Sequence, residues 1–415
     1  MNVHEIFSAA TLDRQSMPQS SLDITERVRT NPFPWTGQFS PQLVEQLLTN
    51  YARESITVLD PFAGSGTSLI EAARLRLSVS GCDINTAAVI LSQVYGIANL
   101  DENRRAKTLS EFRKRLNEVI VPPHGPLFSN GSFGRENRAE LEAGLVGLWH
   151  DSPSDTIRDL AAALIILCDF HRSVLDAATV HKTWCRIEKT VSNLPYSTKP
   201  IVMHHADARD LPIDTNSVDL VLTSPPYINV LNYHQKYRRS VESMGWNVLD
   251  NAPSEIGSNR QNRGNRFRTV IQYSLDMALA LREMVRVSKP GARLILVLGR
   301  ESRVRGARFF NGELVSEIAV RSVGLKMDRR QERVFRNRYG NDIYEDILHF
   351  RSKGEVPDRS PVLKKARRIA GRTLSTTRSS LPDDVRLGIK DALDRLDTIA
   401  PSPMMRLTLP VRRRK

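Results

Sequence analysis

Residues Asp60-Pro-Phe-Ala-Gly-Ser-Gly-Thr67 decide the fold of this 415-residue chain. An apolar run precedes them (Ile56, Val58, Leu59), and a run with helical periodicity follows them (Leu69, Ile70, Ala72, Ala73, Leu75). The order is strand, glycine-rich turn, helix, by which α/β folds bring a backbone close to a nucleotide-like ligand. Gly64 and Gly66 have no Cβ, so the turn can adopt unusual dihedral angles and admit a ligand against the main chain.

A second motif, Thr223-Ser-Pro-Pro-Tyr227, also ends an apolar run (Val218, Leu220, Val221, Leu222). The run predicts a buried strand, and the motif follows at its carboxyl end. A Gly-x-Gly turn alone is weak evidence for a ligand site. The two motifs together are a more specific signal.

Together the motifs resemble those of the amino-methyltransferases, which use S-adenosylmethionine to methylate exocyclic amines of bases. The resemblance covers about residues 30–100 and 200–350. It implies an α/β fold of the Rossmann-like class I methyltransferase type, with a seven-stranded, mostly parallel sheet. Residues 100–198 interrupt the expected alternation with helical patterns, so we expect a large helical insertion there.

The resemblance implies a cofactor loop whose residues surround the amino-acid part and sulfonium of S-adenosylmethionine. These residues are Asp60, Pro61, Phe62, Gly64, Ser65, Gly66 and Thr67. Asp83 ends the second strand, where a carboxylate can accept hydrogen bonds from two ribose hydroxyls. Asp207 follows the third strand, the position at which this fold contacts the adenine amino group, although Asp210 is nearby. The segment Phe33-Pro-Trp-Thr-Gly-Gln-Phe39 resembles the one that closes over the methionine end, and Trp35 and Phe39 could equally belong to the core.

The second motif has a chemical logic for amine methylation. The lone pair of the cytosine amino nitrogen is delocalised into the ring, so that nitrogen is a poor nucleophile. Ser224 Oγ and the Pro225 carbonyl can accept hydrogen bonds from both N–H groups and favour tetrahedral geometry at the nitrogen. Pro225 and Pro226 restrict the backbone, and Tyr227 can stack on the base. The four residues 224–227 are therefore the candidate catalytic residues, acting on a base swung out of the duplex.

The identity of the methylated base stays open. Ser224 stands where adenine-N6 and many guanine-N2 enzymes have Asp or Asn, which favours cytosine N4. The same Ser-Pro-Pro-Tyr form occurs in some adenine methyltransferases. An adenine-N6 DNA enzyme, an RNA amino-methyltransferase and a nucleic-acid-binding protein without activity are therefore alternatives to a site-specific cytosine-N4 DNA methyltransferase.

Charge and composition favour a polyanionic partner. The formal net charge is +14, and residues 361–415 hold 14 Lys and Arg against five Asp. We expect double-stranded DNA as partner, with RNA and a cognate restriction endonuclease as further candidates. Four arginines in a polar loop are candidate nucleic-acid contacts: Arg260, Arg263, Arg266 and Arg268.

The remaining features are negative expectations. No apolar run is long enough to span a bilayer, and no secretory signal begins the chain, so we expect a cytoplasmic protein. Cys82, Cys168 and Cys185 are widely spaced, so we expect neither a disulfide framework nor a metal site. The expected organisation is a flexible leader (1–30), two halves of a methyltransferase domain (31–100 and 199–352), the helical insertion (101–198) and a basic C-terminal tail (353–415).

Overall fold

A computed structural model describes residues 5–26, 28–120, 138–172, 174–228, 233–258, 262, 264–337, 339–377 and 381–406. Its centre is a seven-stranded sheet, and a separate two-stranded hairpin lies beside it. In chain order the strands are β1 (Thr57–Asp60), β2 (Ser78–Asp83), β3 (Ile201–His205), β4 (Val218–Thr223), β5 (Ser288–Gly299), β6 (Glu301–Val304), β7 (Ala307–Phe310), β8 (Lys326–Arg336) and β9 (Asp342–Arg351).

The strand order in the large sheet is β3-β2-β1-β4-β5-β9-β8. The first five strands are parallel, and β9 runs antiparallel to both β5 and β8. The predicted seven-stranded, mostly parallel sheet of the Rossmann-like class I methyltransferase fold is therefore confirmed. The two strands that follow β5 in the sheet are β9, which lies between β5 and β8, and β8, which is the edge strand.

The register of β1 and β4 positions the two sequence motifs. These strands are direct neighbours, with Val58 opposite Leu220 and Leu59 opposite Val221. Because they are parallel, the glycine-rich loop after β1 and the Pro-Pro motif after β4 leave the sheet at the same edge. Ligands bind at this carboxyl edge in open α/β sheets.

Helices cover both faces of the sheet. They are α1 (Glu5–Ala9), α2 (Gln19–Asp23), α3 (Pro41–Tyr51), α4 (Thr67–Arg74), α5 (Thr86–Gln93), α6 (Glu102–Ile120), α7 (Arg138–His150), α8 (Asp155–Cys168), α9 (Ala177–Ser192), α10 (Arg238–Ser243), α11 (Val248–Asn251), α12 (Phe267–Val287), α13 (Asn311–Glu317), α14 (Arg359–Thr376) and α15 (Asp383–Asp394). Helices α3 to α9 share one apolar core with one face of the sheet, and α12 to α15 share a second core with the other. Residues 294–298 of β5 are all buried, as expected for a strand covered on both sides.

Apolar periodicity predicts a helical stretch over Ala161–Val180 and a helix over residues 274–287, and both predictions are wrong in their bounds. The pattern Ala161–Val180 is two helices, because α8 ends at Cys168, Asp169 adopts a left-handed φ of 50°, and α9 begins at Ala177. Helix α12 begins at Phe267 rather than at 274. The Asn265 side chain accepts a hydrogen bond from the Phe267 backbone N–H at 3.0 Å, so the polar loop itself caps the helix.

Residues 94–99 form a short 3₁₀-helix. The Asn99 side chain holds the end of this helix next to the start of β3, and so joins the two ends of the chain segment that lies between them. Asn99 Nδ2 donates to the carbonyl oxygens of Ser197 (2.8 Å) and Lys199 (2.6 Å), and its Oδ1 accepts from the Ile201 N–H at 3.2 Å. Helices α6 to α9 therefore leave the sheet and return to it at one point. Among the helices that the structure describes, none has the length and apolar character needed to cross a membrane.

The described segments nearest each terminus contact the sheet domain. Leu12 forms a β-bridge with Arg330 of β8, and Met17 and Leu22 are buried. Toward the other end, α14 packs on α12 and α15 packs on both. The spacing of Val385, Ile389, Leu393 and Leu396 predicts a short helix near 384–396, which α15 confirms, whereas α14 was not predicted.

Candidate active site

One pocket at the carboxyl edge of the sheet brings the two motifs together. Its lining includes, from the predicted site residues, Phe39, Asp60, Pro61, Phe62, Gly64, Ser65, Thr67, Asp83, Asp207, Ser224, Pro225, Pro226 and Tyr227. Of the predicted cofactor residues only Gly66 is not part of this lining. It faces the protein, where an added Cβ would lie 2.9 Å from Ser92 Oγ.

The glycine loop needs both of its glycines. Gly64 and Gly66 have φ values of +52° and +82°, which disfavour other residues. The Gly64 N–H donates to Asp83 Oδ2 at 2.8 Å, and the Gly64 carbonyl accepts from Ser92 Oγ at 2.7 Å. The loop is therefore fixed between the end of β2 and helix α5.

Asp60 is a buried junction between the loop and the second motif. Its carboxylate accepts hydrogen bonds from Ser68 Oγ (2.6 Å), Thr223 Oγ1 (2.6 Å) and the Phe62 N–H (3.1 Å). Burial raises the pKa of Asp60 to about 6, and these hydrogen bonds oppose the rise. Because its oxygens point to the protein's own donors, Asp60 shapes the pocket more than it offers acceptors to a ligand.

Asp83 keeps acceptor capacity toward the pocket. Its oxygens accept one backbone N–H each, from Gly64 at 2.8 Å and from Asn85 at 2.8 Å. A carboxylate has about four lone-pair sites, so two remain for ligand hydroxyls. Burial raises the pKa of Asp83 to about 6; the two N–H groups oppose this, and the charges of Asp60 and Glu255 add to it.

Asp207 lines the pocket, but its carboxylate is already engaged. Oδ1 accepts from Arg209 N (3.0 Å) and Nε (2.9 Å), and Oδ2 accepts from Arg209 Nη2 (2.7 Å) and Met405 N (3.2 Å). Four hydrogen bonds fill the four acceptor sites of a carboxylate. The Asp207 side chain therefore has no lone pair left for an adenine amino group in this arrangement.

One of the two proline carbonyls of the motif, that of Pro226, accepts a hydrogen bond from the neighbouring helix α12. Tyr273 Oη of α12 donates to the Pro226 carbonyl at 3.0 Å. Tyr227 lies against Gly299 of β5, where an added Cβ would be 2.9 Å from the ring carbon Cε2. Burial raises the pKa of Tyr227, and the charge of Glu345 raises it further, whereas hydrogen bonds with the Ser224 side chain and the Gly299 backbone lower it.

Aromatic rings form part of the pocket wall. The Trp35 indole stacks on Tyr233 with 6.4 Å between centroids, and an added Cβ on Gly64 would lie 3.3 Å from that indole. Lys236 Nζ lies 4.9 Å from the Trp35 ring centroid on the outer side. Trp35 and Phe39 both line the pocket and also pack against the first core, so neither sequence interpretation excludes the other.

The lining carries four acidic side chains, Asp60, Asp83, Asp207 and Glu255, and no Lys or Arg among the described residues. Anionic nucleotides need cationic or N–H-rich partners for their phosphates. A ligand with a fixed positive charge fits this lining better, because it is attracted by the carboxylates. The residues present therefore fit a sulfonium cofactor with ribose hydroxyls.

The sequence interpretation missed Ser254, Glu255 and Ile256, which line the pocket from the segment after α11. Glu255 Oε2 and His234 Nδ1 are 2.9 Å apart, and both side chains are buried. No short motif marks these residues. Their only signal was a position inside the polar loop predicted for 250–270.

The predicted nucleic-acid contacts lie in two groups. Arg266 is exposed beside the start of α12, whereas Arg268 pairs with Asp391 of α15 at 2.7 Å. Arg260 and Arg263 lie outside the described residues. The structure thus places one predicted contact in solvent and uses another to attach α15.

Comparison with known proteins agrees with this picture. A family model described as a DNA methylase, covering N6 and N4 methyltransferases, matches residues 12–93. The chain is 22% identical to the Type II methyltransferase M.MjaII of Methanocaldococcus jannaschii over 75% of this chain and 79% of that protein. It is 25% identical to the Type II methyltransferase M.MvaI of Kocuria varians, over 30% of this chain and 26% of that protein.

Among solved structures, an S-adenosylmethionine-dependent methyltransferase from Methanosarcina mazei aligns with 74% of this chain and 96% of its own. The TM-score is 0.33 and the identity 15%, so the fold assignment stands on strand order instead. The strand order is that of the class I fold of S-adenosylmethionine-dependent methyltransferases, and the residues that line the pocket fit that cofactor. In sequence, the chain is similar to DNA amino-methyltransferases, both over the segment that the family model matches and in the two Type II relatives.

Proposed function

We propose that this protein transfers a methyl group from S-adenosylmethionine to the exocyclic N4 of a cytosine in DNA. The single observation that carries the proposal is the common pocket of the glycine loop and the Ser224-Pro-Pro-Tyr227 motif. Serine at 224 favours cytosine over adenine, as the sequence resemblance implies. Similarity to DNA amino-methyltransferases supports that class of activity, and the choice of cytosine is the finer step that needs an experiment.

In this proposal Ser224 Oγ and the Pro225 carbonyl accept the two N–H groups of the target amine. S-adenosylmethionine, when bound, supplies an electrophilic methyl group on a positively charged sulfur. Because Tyr273 holds the Pro226 carbonyl, the Pro225 carbonyl is the proline acceptor we assign to the amine. Two acceptors fixed by a rigid backbone orient the nitrogen lone pair at little entropic cost.

We assign cofactor binding to the residues around the glycine loop. Gly64, Ser65 and Thr67 present main chain and hydroxyls to the amino-acid part, and Pro61 and Phe62 add apolar wall. Asp83 accepts the ribose hydroxyls with its two remaining lone-pair sites. Phe39 and Trp35 form part of the pocket wall.

DNA binding is assigned to exposed cations near the second core. Helix α14 contains six Lys or Arg and no Asp or Glu, and its exposed members include Lys364, Arg368 and Arg372 at helical spacing. Like charges at i and i+4 destabilise a helix slightly, so a polyanion that neutralises them is a reasonable partner. Since both curated relatives carry Type II names, a cognate restriction endonuclease is a further proposed partner.

The test is nucleoside analysis after methylation with a labelled donor. Purified protein, labelled S-adenosylmethionine and mixed-sequence duplex DNA are incubated, and the product is digested to nucleosides. Label in N4-methyldeoxycytidine is the expected result, with Ser224→Ala as the matched control that binds donor without transfer. Label in N6-methyldeoxyadenosine would make adenine the substrate instead of cytosine. In a parallel incubation with RNA, label in the RNA and none in the duplex DNA would make RNA the substrate.

A further inference from the structure

The far end of the chain reaches the cofactor pocket through one buried arginine. Arg209 follows β3, and its side chain has no exposed surface. Its guanidinium donates to two carboxylates, Asp207 on Nε and Nη2 and Asp276 on Nη1 at 2.7 Å.

The other acceptors of Arg209 come from residues 400–406, here called the C-terminal strap. Nη1 donates to the Ser402 carbonyl at 2.9 Å, and Nη2 donates to the Pro403 carbonyl at 2.8 Å. Nη2 also lies 3.3 Å from the Ser254 carbonyl, in the segment that lines the pocket. Every nitrogen of the guanidinium is therefore bonded, as a buried arginine requires.

The strap makes further hydrogen bonds on both sides of the arginine. Ser402 donates to the fully buried Asp276 through its N–H (2.9 Å) and its Oγ (2.6 Å). The Met405 N–H donates to Asp207 at 3.2 Å, and the Arg406 N–H donates to Asn251 at 3.2 Å. Pro401 and Pro403 restrict the backbone around Ser402, so its polar groups are held in place before the contacts form.

This network ends at two segments of the pocket wall. Asp207 and Ala208 line the pocket on one side of Arg209, and residues 254–256 line it on the other. Asp207 has its four acceptor sites filled by Arg209 and Met405, so its carboxylate holds the wall together rather than contacting a ligand.

We propose that the C-terminal strap is a structural part of the cofactor site, and that Arg209 and Ser402 are positioning residues for the wall formed by residues 207–208 and 254–256. This inference rests on the proposed placement of the cofactor in the pocket. Its consequence is that a residue more than 190 positions from Arg209 in the sequence controls affinity for the methyl donor. Turnover at saturating donor is governed by the Ser224 motif and is unaffected.

The decisive variant is Ser402→Ala in the full chain, which removes one hydroxyl donor from Asp276 and keeps the backbone contacts. The matched control is Ser316→Ala, since Ser316 is also buried and donates to Gly312 of its own helix at 2.7 Å. The measurements are dissociation constants for S-adenosylmethionine and for 5′-methylthioadenosine, which lacks the amino-acid part. Melting temperature and kcat at saturating donor are measured on the same samples.

Ser402→Ala should weaken the binding of both ligands by a similar factor, roughly three- to tenfold, because a hydrogen bond to a buried carboxylate is removed. Ser316→Ala should leave both dissociation constants unchanged, and kcat of both variants should stay within about twofold of the parent. Arg209→Lys, which keeps the charge and removes the planar fork, should weaken binding further. Unchanged dissociation constants in Ser402→Ala, or a fall in kcat without a change in affinity, would overturn the inference. A parent chain that binds donor and methylates a base other than cytosine would overturn the proposed function while leaving this comparison valid.

Discussion

The Thr223 hydroxyl donates a 2.6 Å hydrogen bond to Oδ1 of Asp60, and both side chains are buried. This bond joins the loop after β1 to the residue immediately before Ser224. The distance between the proposed methyl-donor site and the proposed site of the target amine is therefore set by a direct hydrogen bond between neighbouring strands.

Thr223→Val tests that link. The substitution keeps the side-chain shape and leaves the buried Asp60 carboxylate with one hydrogen bond fewer. We expect a loss of about 1–3 kcal/mol of unfolding free energy, with weaker donor binding and slower turnover together. Urea unfolding and donor titration measure the two effects. The matched control is Thr269→Val, because the buried Thr269 hydroxyl has no hydrogen-bond partner among the described residues and its removal should be neutral or stabilising.

Ser224→Ala separates chemistry from donor binding. Removal of one preorganised acceptor should lower kcat by about 10²–10³-fold, in line with removal of a single oriented hydrogen-bonding group in other active sites. The dissociation constant of S-adenosylmethionine should change by less than about twofold. Single-turnover kinetics with saturating donor gives the first value and calorimetry the second. Equal losses in both would assign Ser224 to the cofactor instead.

Donor affinity should depend on pH through Asp83. In the free protein its carboxyl has a pKa of about 6, raised chiefly by burial, and the ionised form is the one that accepts hydroxyls and attracts a sulfonium. Proton and donor therefore compete. Affinity should rise about tenfold from pH 5 to pH 7 and level off above, since the carboxyl is then ionised before binding.

The control for that profile is Asp83→Asn, which removes the titrating group and keeps the side-chain shape. This variant should bind donor more weakly at pH 7 and show a flatter pH profile. An Asp83→Asn profile as steep as the parent's would assign the titration to another group, with the buried Asp60 as the next candidate.

Gly299→Ala tests the position of Tyr227. A Cβ at 299 would lie 2.9 Å from Tyr227 Cε2, so the ring must move. We expect turnover on DNA to fall about ten- to a hundredfold, because the Tyr227 ring, the proposed stacking partner of the target base, is displaced. The affinity for the methyl donor should be retained. Gly147→Ala in α7 is the control, because an added Cβ there meets no atom of the described part of the chain within 4 Å. That variant should be slightly more stable and fully active.

The cations of α14 should contribute to the salt dependence of DNA binding. Replacing Lys364, Lys365, Arg368 and Arg372 with Gln should reduce the slope of log affinity against log salt by about 0.9 for each DNA phosphate that the helix no longer neutralises. The methylated sequence should stay the same. The comparison set is Arg104, Lys107 and Lys114 of α6, where acidic residues alternate with the basic ones and we expect little change. A new sequence preference in the α14 variant would mean that this helix reads bases.

Features that depend on neighbouring residues could be predicted from the sequence, whereas features that depend on contacts between distant residues could not. The loop from Asp60 to Thr67 and the motif from 224 to 227 are local signals, and the strands around them have continuous apolar runs; both were read correctly as strand ends. Helix α6 lies within the expected helical insertion, but its bounds were not predicted, because Arg105, Leu109, Phe112 and Leu116 form only a narrow buried stripe in a charged segment. Glu255 and Arg209 were missed because their partners are distant in sequence, and no periodicity reports a bond from residue 209 to residue 402.

The hydrogen bonds that the Asn99 side chain makes to residues 197–201 have a consequence for how the sequence of this chain can vary. Since these three hydrogen bonds bring residues 197–201 to residue 99, the helices α6 to α9 begin and end at almost the same place. Changes confined to the outward-facing surface of that block would leave the strand pairing of β2 with β3 and the methyl-donor pocket intact, whereas its inner face shares an apolar core with the sheet and must keep its packing. Sequence variation can therefore accumulate on the outer surface of helices α6 to α9 while the sheet and the pocket stay unchanged.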